Sequence, residues 1–212
     1  MALTPQQVEQ RCKGRTKEQV KVIHYFNPKG GCLSSGVPDQ EYDAMLNNVL
    51  QGTDWKKKAL DKIGLDASEV TEIEPVRFEG FLFDGDVFVK KGKDGMWRSS
   101  AYQLTWVFFS ATQVYVWQNT FNMDEGGKKE KTEEYFYKDI TNFSAQSDTE
   151  EKENIGSAGC MGGAKVVREQ VHTNRFQLTV PGEKLYCSMQ QNEYTERSIQ
   201  GMKAKLREKK TA

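Results

Sequence analysis

Residues 101–119 read AYQLTWVFFSATQVYVWQN, and this run decides the fold class. Taken as an extended strand, Tyr102, Leu104, Trp106 and Phe108 fall on one face, while Gln103, Thr105 and Val107 fall on the other. Ser110-Ala111-Thr112-Gln113 interrupts the run, and Val114, Tyr115, Val116 and Trp117 resume it with residues suited to a pleated surface. The pattern predicts a β-hairpin. Large apolar groups stand on both faces of both strands, so the hairpin needs cover above and below, or a sheet curled on itself.

Downstream and just upstream the period stays at two. Residues 78–83 and 87–91 read as strands around the turn Asp84-Gly85-Asp86, and residues 133–138 as another, with Ile140 and Phe143 adding apolar supply. Residues 123–132 are polar, and residues 147–163, charged and then rich in small residues at 156–163, have the composition of a long loop. Residues 165–171, 175–180 and 184–189 read as three more strands, the last two joined by Pro181-Gly182-Glu183. From Asn192 a helix begins, with Ile199, Met202 and Leu206 on one face and its basic residues toward the end.

Ahead of Pro75 the period is helical. Thr4 and Pro5 open a helix that reaches about Tyr25, with Gly14 weakening or splitting it. Residues 27–36 are turn chemistry throughout, and despite Lys29 and several glycines they lack the order of a phosphate-binding loop. Residues 39–51 follow as a helix capped by Asp39, and residues 54–63 as another closed by Gly64. Trp55, Ala59, Leu60 and Ile63 form a stripe that must dock on something, because short helices bury little alone. Pro75 forces an extended entry into the strands. The chain divides on this reading into a helical region, 1–75, and a β domain with its C-terminal helix, 76–212.

Composition bounds the function. Thirty basic residues balance thirty acidic ones, so no overall field attracts nucleic acid or an anionic membrane. No apolar run has the ~18 residues of a membrane span, and the first twenty residues lack the apolar core of a signal peptide, so a cytoplasmic protein is expected. Cys12, Cys32, Cys160 and Cys187 show no close pairing and read as reduced thiols; Cys12, His24 and Cys32 fit no zinc spacing. No metal or cofactor is expected.

The seven or so strands from Val76, linked as consecutive hairpins and followed by one amphipathic helix, resemble the pleckstrin-homology (PH) superfold with its GRAM and bacterial PH-like relatives. The resemblance rests on residues 102–105 paired with 114–116, on the strand Tyr135-Phe136-Tyr137-Lys138 leading into Asp139-Ile140-Thr141, and on the helix bearing Ile199, Met202 and Leu206. It implies an α+β fold, a partly open antiparallel barrel closed by the C-terminal helix, with the helical region as an addition.

Phosphoinositide-binding members of that superfold use basic residues between their first two strands, and Lys90, Lys91, Lys93 and Arg98 flank the corresponding turn here. The plainer reading is a solvated basic hairpin, since Asp94 lies within it and the Lys-x-Arg order is not reproduced. Lys128, Lys129 and Lys131 form a second basic tip broken by Glu130, and Trp97 beside Arg98 is a weak nucleic-acid signal. Only His24 and His172 are present, with no nucleophile elbow or dinucleotide fingerprint, so a non-enzymatic chain is expected. The leading expectation is a binding or scaffold module that meets another protein or itself. An anionic-lipid surface at the four basic residues is the first alternative, and a carrier of a small apolar ligand between residues 102–117 and the last helix is the second.

Overall fold

The computed structural model describes residues 3–28, 36–156 and 165–211. Among these residues the five α-helices are α1 (Pro5–Cys12), α2 (Lys17–Phe26), α3 (Asp39–Gln51), α4 (Trp55–Ile63) and α5 (Glu193–Thr211). Nine strands are β1 (Val76–Leu82), β2 (Val89–Lys91), β3 (Trp97–Ser99), β4 (Ala101–Phe109), β5 (Gln113–Asn122), β6 (Lys128–Phe136), β7 (Asn142–Gly156), β8 (Lys165–Val180) and β9 (Glu183–Ser188). They form three antiparallel sheets, ordered β1-β4-β5-β6, β2-β3 and β7-β8-β9. The fold is α+β, and among the described residues none of the sheets is closed into a barrel.

The central hairpin has the parity its sequence predicts. From β4 and β5, Tyr102, Leu104, Phe108, Tyr115, Trp117 and Phe121 face Leu46, Trp55, Ala59 and Leu60 of α3 and α4. The other faces supply Val107, Phe109, Val114 and Val116, which pack with Phe143, Phe176, Leu178, Cys187 and the α5 residues Ile199, Met202 and Leu206. One sheet thus separates two cores. A third, smaller cluster joins Val22, Tyr25, Phe26 and Tyr42 to Phe81 and Phe88.

Local chemistry sets the helix ends. Thr4 and Thr16 each accept a bond from a backbone N–H three residues on, while Gln7 and Gln19 return bonds to the capping backbones, two capping boxes in succession. Gly14, at φ +75°, makes the left-handed turn between α1 and α2. Asp54 caps α4 and Gly64 ends it at φ +81°, as expected. Asp39 departs from expectation: Pro38 holds the capping position, and the Asp39 carboxylate instead accepts from Tyr25 Oη and from the backbone N–H of Lys93.

The strands on either side of Asp84-Gly85-Asp86 do not form a hairpin, since β1 pairs with β4 and β2 with β3; further departures lie in the polar strands. Residues 128–132 belong to β6, and residues 147–156, expected as loop, belong to β7; residues 157–163 of that expected loop lie outside the described residues. The stretch Asp148-Thr149-Glu150-Glu151-Lys152-Glu153 has polar groups on both faces, so it carries no amphipathic alternation and is held extended by its ladder to β8. Strand β8 is likewise one strand, not two. Its buried side changes along its length: Val171 and Thr173 are buried at its middle, Phe176 and Leu178 toward its C-terminal end. Strand β9 pairs only with residues 175–180, so beyond them β7 and β8 continue as a two-stranded arm.

Candidate functional site

The four basic residues sit on β2, β3 and the turn between, and the structure gives three of their side chains intramolecular partners. Arg98 is the centre. Its Nε and Nη2 donate to Asp43 at 2.7 and 2.8 Å, Nη1 and Nη2 donate to Asp94 at 3.0 and 2.7 Å, and Nη1 also reaches the Met96 carbonyl at 3.2 Å. Two carboxylates therefore hold one guanidinium whose side chain is 4% exposed. Hydrogen bonds from Arg98 hold Asp94 well below the usual carboxylate range, and those to Asp43 and Asp94 raise Arg98.

Lys90 turns toward the helices. Its Nζ donates to the Tyr25 carbonyl at 3.1 Å and lies 3.9 Å from the Tyr25 ring centroid, and burial lowers its pKa. Lys91 points elsewhere, 3.0 Å from Glu169 of β8. Lys93 contributes its backbone N–H to Asp39 at 2.7 Å. Tyr25 donates to the same carboxylate at 2.9 Å, and stacks on Tyr42 with ring centroids 4.6 Å apart. A Cβ at Gly92 would stand 2.4 Å from Arg98 Nη1, 2.6 Å from Asp94 Oδ1 and 2.9 Å from Asp39 Oδ2, so those side-chain ends would have to shift to admit one. Lys90, Lys93 and Arg98 are thus brought together, with Lys91 set apart, and the group fastens α2 and α3 to the β2-β3 hairpin. Sequence reasoning missed Asp39, Asp43 and Tyr25 as its partners, because they lie far upstream with no local spacing to link them.

A cleft of about 180 Å³ opens elsewhere, lined by residues 80–84, 172–175 and 188–190 together with Trp97. Side chains alternate across a strand, so walls made of consecutive residues are main-chain edges and not sheet faces. The cleft exists because β9 changes neighbour at its end: the Met189 N–H donates to the Asn174 carbonyl of β8 at 3.0 Å, and the next N–H, of Gln190, donates to the Glu79 carbonyl of β1 at 3.0 Å. Gly80 permits that approach, since even a bare Cβ there would lie 3.2 Å from Met189 N. Past this point β1 and β8 diverge.

The cleft is polar and electrically balanced. Arg175 Nη2 bridges to Asp84 at 2.7 Å and to Glu150 at 3.0 Å, and Lys152 lies 2.9 Å from Glu150. His172 lies within β8, its Nδ1 3.0 Å from Thr149 Oγ1 in a cross-strand contact. Thr173 is buried, and its Oγ1 has no hydrogen-bond partner among the described residues. The volume is below the ~300 Å³ at which pockets for drug-sized ligands begin. It also lies away from the space between β4-β5 and α5, where Val107, Phe109, Val114 and Val116 pack directly with Ile199, Met202 and Leu206.

No helix among the described residues is long and apolar enough to cross a membrane, and no group of three His, Cys, Asp or Glu among them is placed to hold a metal ion. Comparison of the chain with protein-family models, with curated proteins and with solved structures finds no match in any of the three.

Proposed function

We propose that the chain is a non-enzymatic, PH-like binding module that works by contact with another polypeptide, a second copy of itself included, at the cleft where β9 leaves β8 for β1. The observation that carries this reading is the pair of main-chain walls, residues 80–84 and 172–175, open to solvent between two sheets. A four-stranded sheet, then a three-stranded sheet, then a C-terminal helix is the order expected of the PH superfold, which supports that part of the proposal. The lipid alternative asks Arg98 and Lys90 to leave partners that already satisfy them, Asp43, Asp94 and Tyr25. Displacing a buried guanidinium from paired carboxylates is costly, which weighs against that alternative.

A photo-crosslinking residue at Gln190, exposed beside the cleft, tests the reading in the cells of origin, with exposed Gln200 on α5 as the control. Adducts to a defined polypeptide or to the chain itself at Gln190 and not at Gln200 support it. Adducts at neither position, combined with salt-sensitive sedimentation of the chain on acidic vesicles, replace it with the lipid reading.

A further inference from the structure

We infer that the arm formed by β7 and β8 beyond the reach of β9 is a latch. It closes on the β2-β3 hairpin through ion pairs, opens from it as a unit about residues 174–175, and when closed holds one wall of the cleft in place. The opening stands on the arm's own contacts; its effect on the cleft rests on the binding-module reading.

The two faces of the hairpin are gripped by different parts of the chain. Lys90 stands opposite Arg98 and Lys91 opposite Trp97, and successive residues of a strand face opposite sides. Lys90 and Arg98 turn to Tyr25 of α2 and Asp43 of α3. Lys91 turns the other way, its Nζ 3.0 Å from Glu169 and 5.9 Å from the Trp97 ring centroid. The arm meets the hairpin with one face, since Glu169, Val171, Thr173 and Arg175 share a parity on β8. Phe176 and Leu178, of the opposite parity, belong to the core beneath α5. The buried side therefore crosses over between Thr173 and Phe176, beside Arg175, where the pairing with β9 stops.

The two sides of that crossover are held differently. Phe143, Phe176 and Leu178 are fully enclosed on one side. On the other, Val171 is the one buried apolar group among the described side chains of the arm. Thr173 adds a buried hydroxyl with no partner among the described residues, which favours opening because water then reaches it. The rest of the contact is ionic: Lys91 with Glu169, and Arg175 Nη2 at 2.7 Å from Asp84 in the link between β1 and β2. The Lys91 and Glu169 side chains are 39% and 31% exposed, so their pair contributes little and is screened by salt. Segments with few buried apolar contacts open first. Trp97 and residues 172–175 line the cleft together, so parting the arm from the hairpin parts two of its walls.

The test uses the full chain labelled with fluorotryptophan, its four tryptophan signals read by fluorine NMR and that of Trp97 identified by its loss in Trp97→Phe. Raising salt to about 1 M, where the screening length is about 3 Å, should increase the broadening of the Trp97 signal by a neutral soluble paramagnetic chelate. Trp55 and Trp117, buried against each other, should not respond. In low salt Lys91→Glu and Glu169→Lys should each expose Trp97 by setting like charges together, and the double variant should restore it. The expected change in the ratio of closed to open arm is about two- to fivefold, the worth of one exposed pair. Unmoved Trp55 and Trp117 signals establish that the variants are folded; if one is not, the salt response of the native chain decides. A Trp97 signal indifferent to salt, or a double variant no closer to native than either single, overturns the latch. Photo-crosslinking at Gln190 tests the link to the cleft. Adducts that fall in Lys91→Glu and return in the double variant support it, and undiminished adducts overturn it while leaving the binding-module reading intact. Adducts absent from the native chain as well bring down that reading, and the opening of the arm is then decided by Trp97 alone.

Discussion

Where α4 meets β5, Trp55 lies 6.1 Å from Trp117 and 5.0 Å from Phe121 between ring centroids, and Ala59 and Leu60 complete an apolar seam. At its rim Trp117 Nε1 donates to Glu130 at 2.7 Å and Lys58 lies 3.5 Å from the same carboxylate, and Asn119, of the same strand parity as Trp117 and Phe121, is fully buried. Where α2 and α3 meet the β2-β3 hairpin, the seam is instead built around Arg98, Asp43, Asp94, Asp39 and Lys90, with Tyr25 and Tyr42 stacked beside them. The first contact gains free energy in proportion to the apolar area removed from water. The second largely cancels, because desolvating the ions offsets their attraction, and what it contributes is geometry. Only one placement of α3 on the hairpin satisfies both forks of the Arg98 guanidinium.

The sharpest break in that contrast is Trp55→Ala, expected to cost about 3–5 kcal/mol in denaturant unfolding through lost burial and the cavity left behind. Arg98→Ala should follow at about 3 kcal/mol, the low end for removing one member of a buried pair, because Asp43 and Asp94 are each 40% exposed and can rehydrate. A penalty for Arg98→Ala equal to or above that of Trp55→Ala would reverse the assignment of roles. Gly92→Ala should cost about 2 kcal/mol by overpacking. It forces a methyl group against Arg98 and Asp39, and its effect should vanish in the Arg98→Ala background if the clash with the guanidinium dominates.

Acid separates two carboxylates of opposite sign. Asp94 has its folded pKa depressed, so its contribution is present above the unfolded value near ~4 and is lost as pH falls through the folded one. The stability gap between the native chain and Asp94→Asn should therefore be full at pH 7 and shrink in acid. Burial raises Asp124, which makes its ionised form a cost at neutral pH, so any advantage of Asp124→Asn should be greatest at pH 7 and fade as the native carboxyl takes up its proton. The smallest effect belongs to the link between α1 and α2, where Arg15 lies 3.4 Å from Glu125 at a partly exposed site. Arg15→Ala should cost less than about 1 kcal/mol in low salt, and thermal unfolding in 1 M salt should show no difference, the screening length there being about 3 Å.

Much of this molecule is legible residue by residue. The Thr4 cap, Gly14 and Gly64, the two-faced parity of β4 and β5, and the Ile199-Met202-Leu206 stripe each act over a few residues, and each stands where local periodicity places it. The docking stripe of α4 was readable as a stripe, and Trp117 and Phe121 as its destination came only with the fold. Less of the candidate site was legible. The basic hairpin was visible, but whether Arg98 faced water or Asp43 depended on a helix more than fifty residues upstream, and no local spacing encodes such a pairing. Strand β7 was hidden for a related reason: a strand polar on both faces is specified by its ladder partner and not by its own alternation. The cleft belongs wholly to the tertiary structure. It arises because the last residues of β9 bond first to β8 and then to β1, a choice between two distant main chains that side-chain pattern does not record. Sequence determined which segments form helices and which face of the central hairpin is which, because those are short-range matters of sterics, capping and apolar period. Tertiary structure decided which charges are spent inside the molecule and which main-chain edges stay open, because both depend on what the fold brings near them.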